Sequence, residues 1–533
     1  MKKVIFFFVF LSVLSTALPV CSQVREQYAL ATRMYYFNSG GLTGQGNEVL
    51  SPLADSSCSG YSGSMKYQEQ FEGVFYQVYS TTKVEEGLNR TAFRKSSDGI
   101  NWSAFVRAGD APAGKNEYYQ NIYVWRKNGN VNVGVIFADN RSTNDQVRFA
   151  VSTNGGNTFQ PSVQVSTHAD NSYIYLGGIT GKGDTIVATW SRAVGNITNF
   201  SRSTDGGLTW SSTATAYTGG FYNIFNDAML DNSANLYVVT ADDQFVKVNL
   251  TVRKSSNLGA TWTTMQQITS VTANQINSMP QCRFLNNKLY TIWERNFNNN
   301  SIGNWSDGMF LAESSNGGTS WSIPNIVSDT DTLYRSSINL PYIMHPSFTI
   351  TPSGTIYAVW SDSRAGHSNV FDSCKFNVRL SRSTNNGATW SPTILVNTPS
   401  NYSRTYSGYS CVSVRSSGGV DSVLVTWSKL RNTIVSGISQ INSEIPSAYS
   451  LSQNYPNPFN PVTNIAFQVP VTSNVNVIIF DMLGREVEQL VNNELKAGTY
   501  RVDWNAGSNP SGIYFYRISA GKFTQTNKMI LVK

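Results

Sequence analysis

Charge is scarce in this chain: Asp, Glu, Lys and Arg make up 14% of its 533 residues, against about 25% in ordinary soluble domains. The 40 basic and 33 acidic residues leave a net charge of +7, and the basic ones are scattered. No basic stripe of the kind that neutralises phosphates is present, so nucleic acid is not an expected partner. There are three histidines, His168, His345 and His367, in no His-x-x-x-His or Cys/His spacing. A zinc site is therefore not expected, and each histidine reads as a loop residue. Gly-x-Ser-x-Gly, P-loop and GxGxxG patterns are missing as well, which removes the hydrolase elbow, nucleotide sites and a nucleotide cofactor. No EF-hand loop is present, so neither a metal nor any other cofactor is expected.

Long apolar runs are also missing. The one at 4–14 follows Lys2 and Lys3 and leads to the small residues around Val20-Cys21-Ser22. It is shorter than the ~20 residues that cross a bilayer and reads as a secretory signal over 1–22, cleaved after Ser22. A lipoprotein box at Leu18-Pro19-Val20-Cys21 is the weaker alternative, since Val20 is a poor residue before a lipidated cysteine. The mature chain, from 23, is expected to be exported and to lack a transmembrane segment. Of five cysteines, Cys58, Cys282, Cys374 and Cys411 remain after cleavage. That even number suits two disulfides of unreadable pairing.

What the chain has in quantity is Asn, Ser, Thr, Gly and aromatic residues. β-Branched and aromatic side chains fit pleated surfaces, while Asn, Asp, Ser and Gly make turns, so the expected class is all-β. One segment recurs: Ser152-Thr-Asn-Gly-Gly-Asn-Thr-Phe159, Ser203-Thr-Asp-Gly-Gly-Leu-Thr-Trp210, Ser255-Ser-Asn-Leu-Gly-Ala-Thr-Trp262, Ser314-Ser-Asn-Gly-Gly-Thr-Ser-Trp321 and Ser383-Thr-Asn-Asn-Gly-Ala-Thr-Trp390. A sixth copy, Ser96-Ser-Asp-Gly-Ile-Asn-Trp102, is one residue shorter, and the closing aromatics lie 57, 51, 52, 59 and 69 residues apart. Such a period means a repeat architecture. In each copy the Asp or Asn (Asp98, Asn154, Asp205, Asn257, Asn316, Asn385) is placed to cap backbone amides, and Gly accepts a positive φ. The aromatic (Trp102, Phe159, Trp210, Trp262, Trp321, Trp390) is placed to plug the turn onto the core.

Alternating strand-like runs precede the boxes at 130–137, 184–190, 235–239, 287–293 and 354–360. Pairs at 66–79 and 412–427 frame them, giving seven strand pairs for six boxes. Seven blades are favoured over six. The last pair has a candidate third strand at 432–438, and the segment 27–37 is placed to complete that blade and close the ring.

Ser-x-Asp-x-Gly-x-Thr-Trp is the Asp box, or BNR repeat, and on these residues 23–448 resembles the sialidase-like β-propellers. The resemblance implies an all-β, seven-bladed (alternatively six-bladed) propeller whose boxes lie on the face opposite the ligand. It does not imply one activity, because the fold serves enzymes, receptors and non-catalytic proteins alike.

After Ile445-Pro446 the composition shifts, and Tyr455-Pro-Asn-Pro-Phe-Asn-Pro461 is too proline-rich for a central strand. Short strand-like runs follow, with Asp481-Met-Leu-Gly-Arg485, Gly512-Ile-Tyr514 and a closing 528–533. Over 449–533 these motifs resemble the type A C-terminal sorting domain of type IX secretion cargo. The resemblance implies a small Ig-like β-sandwich, the type IX machinery of a Bacteroidetes-type bacterium as partner, and release or attachment at the outer-membrane surface.

A sialidase also needs an arginine cluster for the substrate carboxylate and a Tyr nucleophile with Glu and Asp support. The family's Arg-Ile-Pro motif is absent, and no Arg here is followed two residues later by Pro. Strand ends nevertheless carry Asp139 and Arg141, Arg192, Glu294 and Arg295, and Asp362 and Arg364. Asp139, Glu294 and Asp362 are the catalytic candidates. The four arginines named for ligand binding are Arg141, Arg192, Arg295 and Arg364, with Tyr118, Tyr119, Tyr222, Tyr334 and Tyr406 as stacking platforms. The competing reading makes the charged residues blade-to-blade ion pairs, which their repetition favours. The long stretches 324–345 and 396–411, with Arg335 and Arg404, exceed ordinary hairpin connections. The preferred function is a secreted or surface propeller that binds glycans or proteins without catalysis. An exo-acting glycoside hydrolase is the alternative, and a purely structural surface role the third reading.

Overall fold

In the computed structural model the described residues are 27–50, 66–81, 88–142, 145–167, 174–192, 197–218, 226–243, 248–264, 266–270, 275–299, 303–328, 343–362, 377–397, 407–431, 439–442, 445–506 and 509–532. The signal segment 1–22, the candidate third strand at 432–438, His168, His367, Cys58, Cys374, Arg335, Arg364, Arg404, Tyr222, Tyr334 and Tyr406 lie outside them. Every regular element among the described residues is a strand, so the chain is all-β. Two units emerge, 28–430 and 431–533.

In the larger unit the strands form antiparallel sets of four, taken here in chain order as sheets one to seven. Sheet one holds Gln68–Phe71, Val74–Thr81, Arg90–Ser96 and Val106–Arg107. Sheet two holds Glu117–Lys127, Asn130–Asp139, Gln146–Ser152 and Val163–Gln164. Sheet three starts at Ile174–Lys182, four at Asn226–Leu230, five at Gln275–Leu285 and six at Ile343–Ile350, each with three further strands. A single parallel bridge, Val248 to Ile276, joins sheets four and five. Sheet seven pairs Ser407–Ser417 with Val420–Arg431, and the N-terminal strand Gln27–Asn38 adds beside the latter, followed by Gly41–Gln45. The two chain ends of the unit thus share one sheet.

The first strand of each sheet touches the first strand of the next, and that of sheet seven touches that of sheet one. This closed circuit is a β-propeller with the first strands innermost. Neighbouring sheets cover both faces of every second strand. Ile356–Asp362 is buried at all seven positions, and Asn130–Asp139 is buried from Asn132 onward. The alternation expected for half-buried strands is replaced here by burial on both sides. His345, expected in a loop, falls inside the strand Ile343–Ile350. Cys282 and Cys411 are buried and in no disulfide, so the four cysteines do not form the expected two disulfides; each of these two thiols packs in an apolar cluster on an inner strand.

The recurring turns lock the sheets together. In each full-length copy the Ser hydroxyl donates to the Asp or Asn carboxyl or amide oxygen and accepts the N–H of the Gly four residues on, as Gly207 to Ser203 at 2.8 Å. The same oxygen accepts the Thr or Ser N–H, 3.0 Å in Asn154, Asp205 and Asn316. The last bond reverses with residue type: Asn154, Asn257, Asn316 and Asn385 donate to the hydroxyl, whereas Asp205 accepts from Thr209 at 2.5 Å. Against the effect of burial, these donors hold the Asp205 carboxyl down at about 2. In the short copy Asp98 accepts the N–H groups of Ile100 and Asn101 instead, and its carboxyl is likewise held well below the usual range despite burial. The aromatics reach back to the preceding sheet: Phe159 meets Phe93, Trp210 meets Phe149 and Trp262 meets Phe200, edge-on at 5.3, 5.2 and 5.5 Å. Trp102 lies under Arg94 at 4.4 Å. Trp321 and Trp390 pack on the cores of sheets five and six. Basic residues of the preceding sheet close the turns, Lys95 on Gly155 at 2.8 Å and, across the ring closure, Arg415 on Ser97 at 2.5 Å.

The smaller unit has two four-stranded antiparallel sheets around one core. The first orders Ser439–Asn442, Gly498–Asn505, Val462–Val469 and Ser450–Leu451; the second Glu486–Leu495, Ser473–Phe480, Gly512–Ala520 and Phe523–Leu531. Ser439–Asn442, on the propeller side of the boundary expected at 448, pairs here. Both sheets feed one core, which includes Phe467, Val477, Trp504 and Tyr516. In the proline motif Phe459 is buried against Trp504 at 5.4 Å. It exchanges backbone hydrogen bonds with Ile530 and Val532, and Asn457 accepts the Ile530 N–H. The motif therefore clamps the last strand. The Asp481-Arg485 turn closes on the Asp481 carboxylate, which accepts from Leu483, Arg485 N–H and the Arg485 side chain.

Candidate ligand face

Register separates the two ends of the ring. Ser152, which opens a turn, pairs with Val133 near the hairpin end of sheet two, whereas Asp139 pairs with Glu117 at the far end. The beginnings of the inner strands therefore lie on the face opposite the turns. Five of them carry a β-bulge at the same level, between Tyr118 and Asn121, Leu176 and Ile179, Ser278 and Gln281, Met344 and Ser347, and Gly408 and Cys411. Bulges re-aim side chains and concentrate beside functional sites. Tyr119 and Met279 occupy the first bulge position with φ of 59° and 52°, a region unfavourable for bulky residues. In sheet three the bulge is Gly177-Gly178, where a Cβ would stand 1.9 Å from the Asn226 and Asp227 side chains.

Around the bulges of sheets two and three, three half-buried tyrosines meet. Tyr118 and Tyr119 are edge-on at 5.0 Å, and Tyr119 lies 5.9 Å from Tyr175. Burial and the neighbouring Asp145 raise the Tyr118 hydroxyl far above its ordinary range, so it stays protonated.

The charged candidates are mostly engaged within their own sheets. Asp139 is fully buried and accepts Arg141 Nε at 2.6 Å, while Arg141 also donates to Asp110 at 2.5 Å. Burial raises the Asp139 carboxyl despite Arg141. Asp362, also fully buried, faces Arg379 at 3.2 Å. Arg192 donates to Asn199 at 2.8 Å, an inverted version of the Asp362 and Arg379 arrangement. Arg295 stacks over Phe310 at 4.0 Å. Glu294 stands apart: it is one position out of phase with Asp139 and Asp362, and accepts Ser278 Oγ at 2.9 Å. Asp242 of sheet four is in phase with Asp139 and Asp362 and accepts the Tyr217 hydroxyl. The structure brings Tyr118 and Tyr119 together and disperses Asp139, Glu294 and Asp362 over sheets two, five and six.

Tyr175, the bulges and Asp242 were missed by sequence reasoning, because a bulge has no reliable signature in a single chain. The Gly177-Gly178 pair was the available signal. Also unforeseen is Lys66, ahead of sheet one, whose ammonium reaches Asp227 of sheet four at 2.8 Å. Among the described residues no group of three or more His, Cys, Asp or Glu is placed to hold a metal, and no helix is long and apolar enough to cross a membrane.

The family model for the secretion system C-terminal sorting domain matches residues 453–533. A search of curated protein sequences found no match. Among solved structures the chain is similar to Hadza microbial sialidase Hz136, at 14% identity over 78% of this chain and 95% of that one, TM-score 0.35. It is similar to the NanB sialidase from Streptococcus pneumoniae at 11% identity over 85% and 70%, TM-score 0.33. It is also similar to PorZ, a surface component of the type IX secretion system of Porphyromonas gingivalis, at 12% identity over 94% and 68%, TM-score 0.26. These likenesses are faint, and the propeller stands on its own strand pairing. Residues 453–533 are a secretion system C-terminal sorting domain, and the chain carrying them is a secreted or surface-attached protein handled by the type IX machinery.

Proposed function

We propose that this protein is a seven-bladed, sialidase-like propeller that binds a glycan at the bulged end of its inner strands, without catalysis, after export through the type IX route. The observation that carries this reading is the Tyr118, Tyr119 and Tyr175 cluster, half-buried, with Tyr119 held at φ 59°. Rigid aromatic faces stack on sugar rings at low entropic cost, and strain at one residue is retained where surrounding structure over-determines it. The engagement of Asp139 with Arg141 just beyond its own strand, and of Asp362 with Arg379 on the next strand, supports a structural role for both. A glycan array read beside hydrolysis of a chromogenic glycoside panel tests it: binding without turnover is expected. A glycoside hydrolase remains the second reading because Glu294 and Asp242 place carboxyls near the same end of adjacent sheets. Turnover abolished by Glu294→Gln would establish it.

A further inference from the structure

Neighbouring sheets of the ring are tied by different groups at different levels. Between sheets one and two, the partly buried Glu69 accepts the Val124 N–H at 2.9 Å, and desolvation lifts its carboxyl to about 8. Between sheets two and three, Trp125 Nε1 donates to Asp184 at 3.0 Å near the turns. Beside the outer strands, Thr167 and Thr213 each donate a backbone N–H to the other's hydroxyl, at 2.7 and 3.0 Å. At the bulges the tie is Asn121, whose Nδ2 donates to the Gly177 carbonyl at 3.0 Å. Asn121 closes the bulge that holds Tyr119, and Gly177 opens the bulge that follows Tyr175.

Sheet four reaches the same bulge. Asn226 Nδ2 donates to Ser191 Oγ at 2.7 Å, and Ser191 is the cross-strand partner of Tyr175. A Cβ at Gly177 would stand 1.9 Å from Asn226 Oδ1 and 2.7 Å from Thr189 Oγ1, so glycine alone fits there. The Thr189 hydroxyl in turn accepts the Gly178 N–H at 2.9 Å. Asn121 and Asn226 are both fully buried, and neither Oδ1 has a partner among the described residues. An amide oxygen buried without a donor costs free energy. Backbone strain at Tyr119, two adjacent glycines and two orphaned oxygens therefore meet at one level of the ring, beside the tyrosines. Departures from local rules that gather in one place are expected where a position is held for function.

We propose that Asn121 is a positioning residue of the glycan site: through the Gly177 carbonyl it locks the bulge of sheet three to that of sheet two, and so holds Tyr175 at 5.9 Å from Tyr119. Asn226 completes the lock from sheet four. The proposal rests on the reading of the tyrosine cluster as a glycan site. The two rings belong to separate sheets, and backbone ladders fix each sheet only internally. A side-chain bond across the seam therefore sets their mutual distance, and aromatic faces set in advance spare the ordering cost of binding. Without the amide donor the buried Gly177 carbonyl loses this bond, the two bulges part, and Tyr175 moves away from Tyr119.

The test uses the full exported chain with Tyr175 replaced by 3-fluorotyrosine, whose fluorine NMR signal reports on that ring in the absence of any sugar. Asn121→Leu keeps the side-chain volume and removes the donor. It is expected to shift and broaden the fluorine signal and to weaken binding of the best array glycan at least tenfold. Trp125→Phe breaks the tie between the same two sheets near the turns, and is expected to lower the unfolding midpoint while leaving signal and affinity unchanged. Should Asn121→Leu not fold, Asn121→Ser carries the same expectations. An unmoved fluorine signal in the Asn121 variant, or an equal loss of affinity in Trp125→Phe, overturns the proposal. A wild type that binds no array glycan would overturn the glycan reading instead, and the fluorine signal would still decide whether Asn121 positions Tyr175.

Discussion

Trp210 of one sheet and Phe149 of the sheet before it meet edge-on with centroids 5.2 Å apart, and Gly207 leaves the space between them open. A Cβ at Gly207 would stand 2.1 Å from the Phe149 ring, on a backbone with φ 88°. Gly207→Ala therefore adds a clash to a strained backbone, and is expected to lower unfolding stability by about 2–4 kcal/mol. Trp210→Ala, which removes a half-buried ring, should cost about 1–3 kcal/mol. Denaturant unfolding of the two variants checks both.

Glu69 gives the propeller an unusual pH dependence. A carboxyl lifted from 4.5 to about 8 on folding binds its proton more tightly in the folded state. Stability is then highest below about pH 4.5 as far as this group is concerned, falls as pH rises through 8, and levels off above. Glu69→Gln should remove that slope and be more stable than wild type at pH 9, by an amount on the order of a few kcal/mol. Unfolding midpoints across pH 5 to 9 measure it.

Tyr119 allows strain and function to be separated. Tyr119→Gly relieves φ 59° while removing a half-buried ring, so the two effects oppose and the net stability loss should stay within about 2 kcal/mol. It should nonetheless weaken glycan binding by tenfold or more through the lost aromatic face. A stability loss together with unchanged binding would mark the residue as packing alone.

In the sorting domain Phe459 is buried against Trp504, and its backbone holds the last strand. Phe459→Ala is expected to cost that unit about 3–5 kcal/mol. Limited proteolysis should then release the tail earlier while cleavage of the propeller keeps its wild-type rate.

Much of the fold was legible because its signals are local. Ser203, Asp205, Gly207, Thr209 and Trp210 each make a bond inside one turn, so the turn can be read from eight residues. Closure by Gln27–Asn38 followed from counting strands against boxes. The site was less legible because its determinants are separated in sequence. Lys66 and Asp227 are 161 residues apart and meet only once the ring closes. Asp139 and Asp362 look like exposed chemistry at strand ends, but burial between sheets commits them to Arg141 and Arg379. The buried Cys282 and Cys411, neither in a disulfide, show that parity of cysteines is no substitute for geometry.

The most direct measurement of the central claim is equilibrium binding of the best array glycan to wild type, Tyr119→Gly and Tyr175→Ala, with release of free sugar followed in the same samples. The account predicts saturable binding by wild type, at least tenfold weaker binding by both variants, and no sugar release. Undiminished binding by both variants, or release of sugar by wild type that Glu294→Gln abolishes, would contradict it.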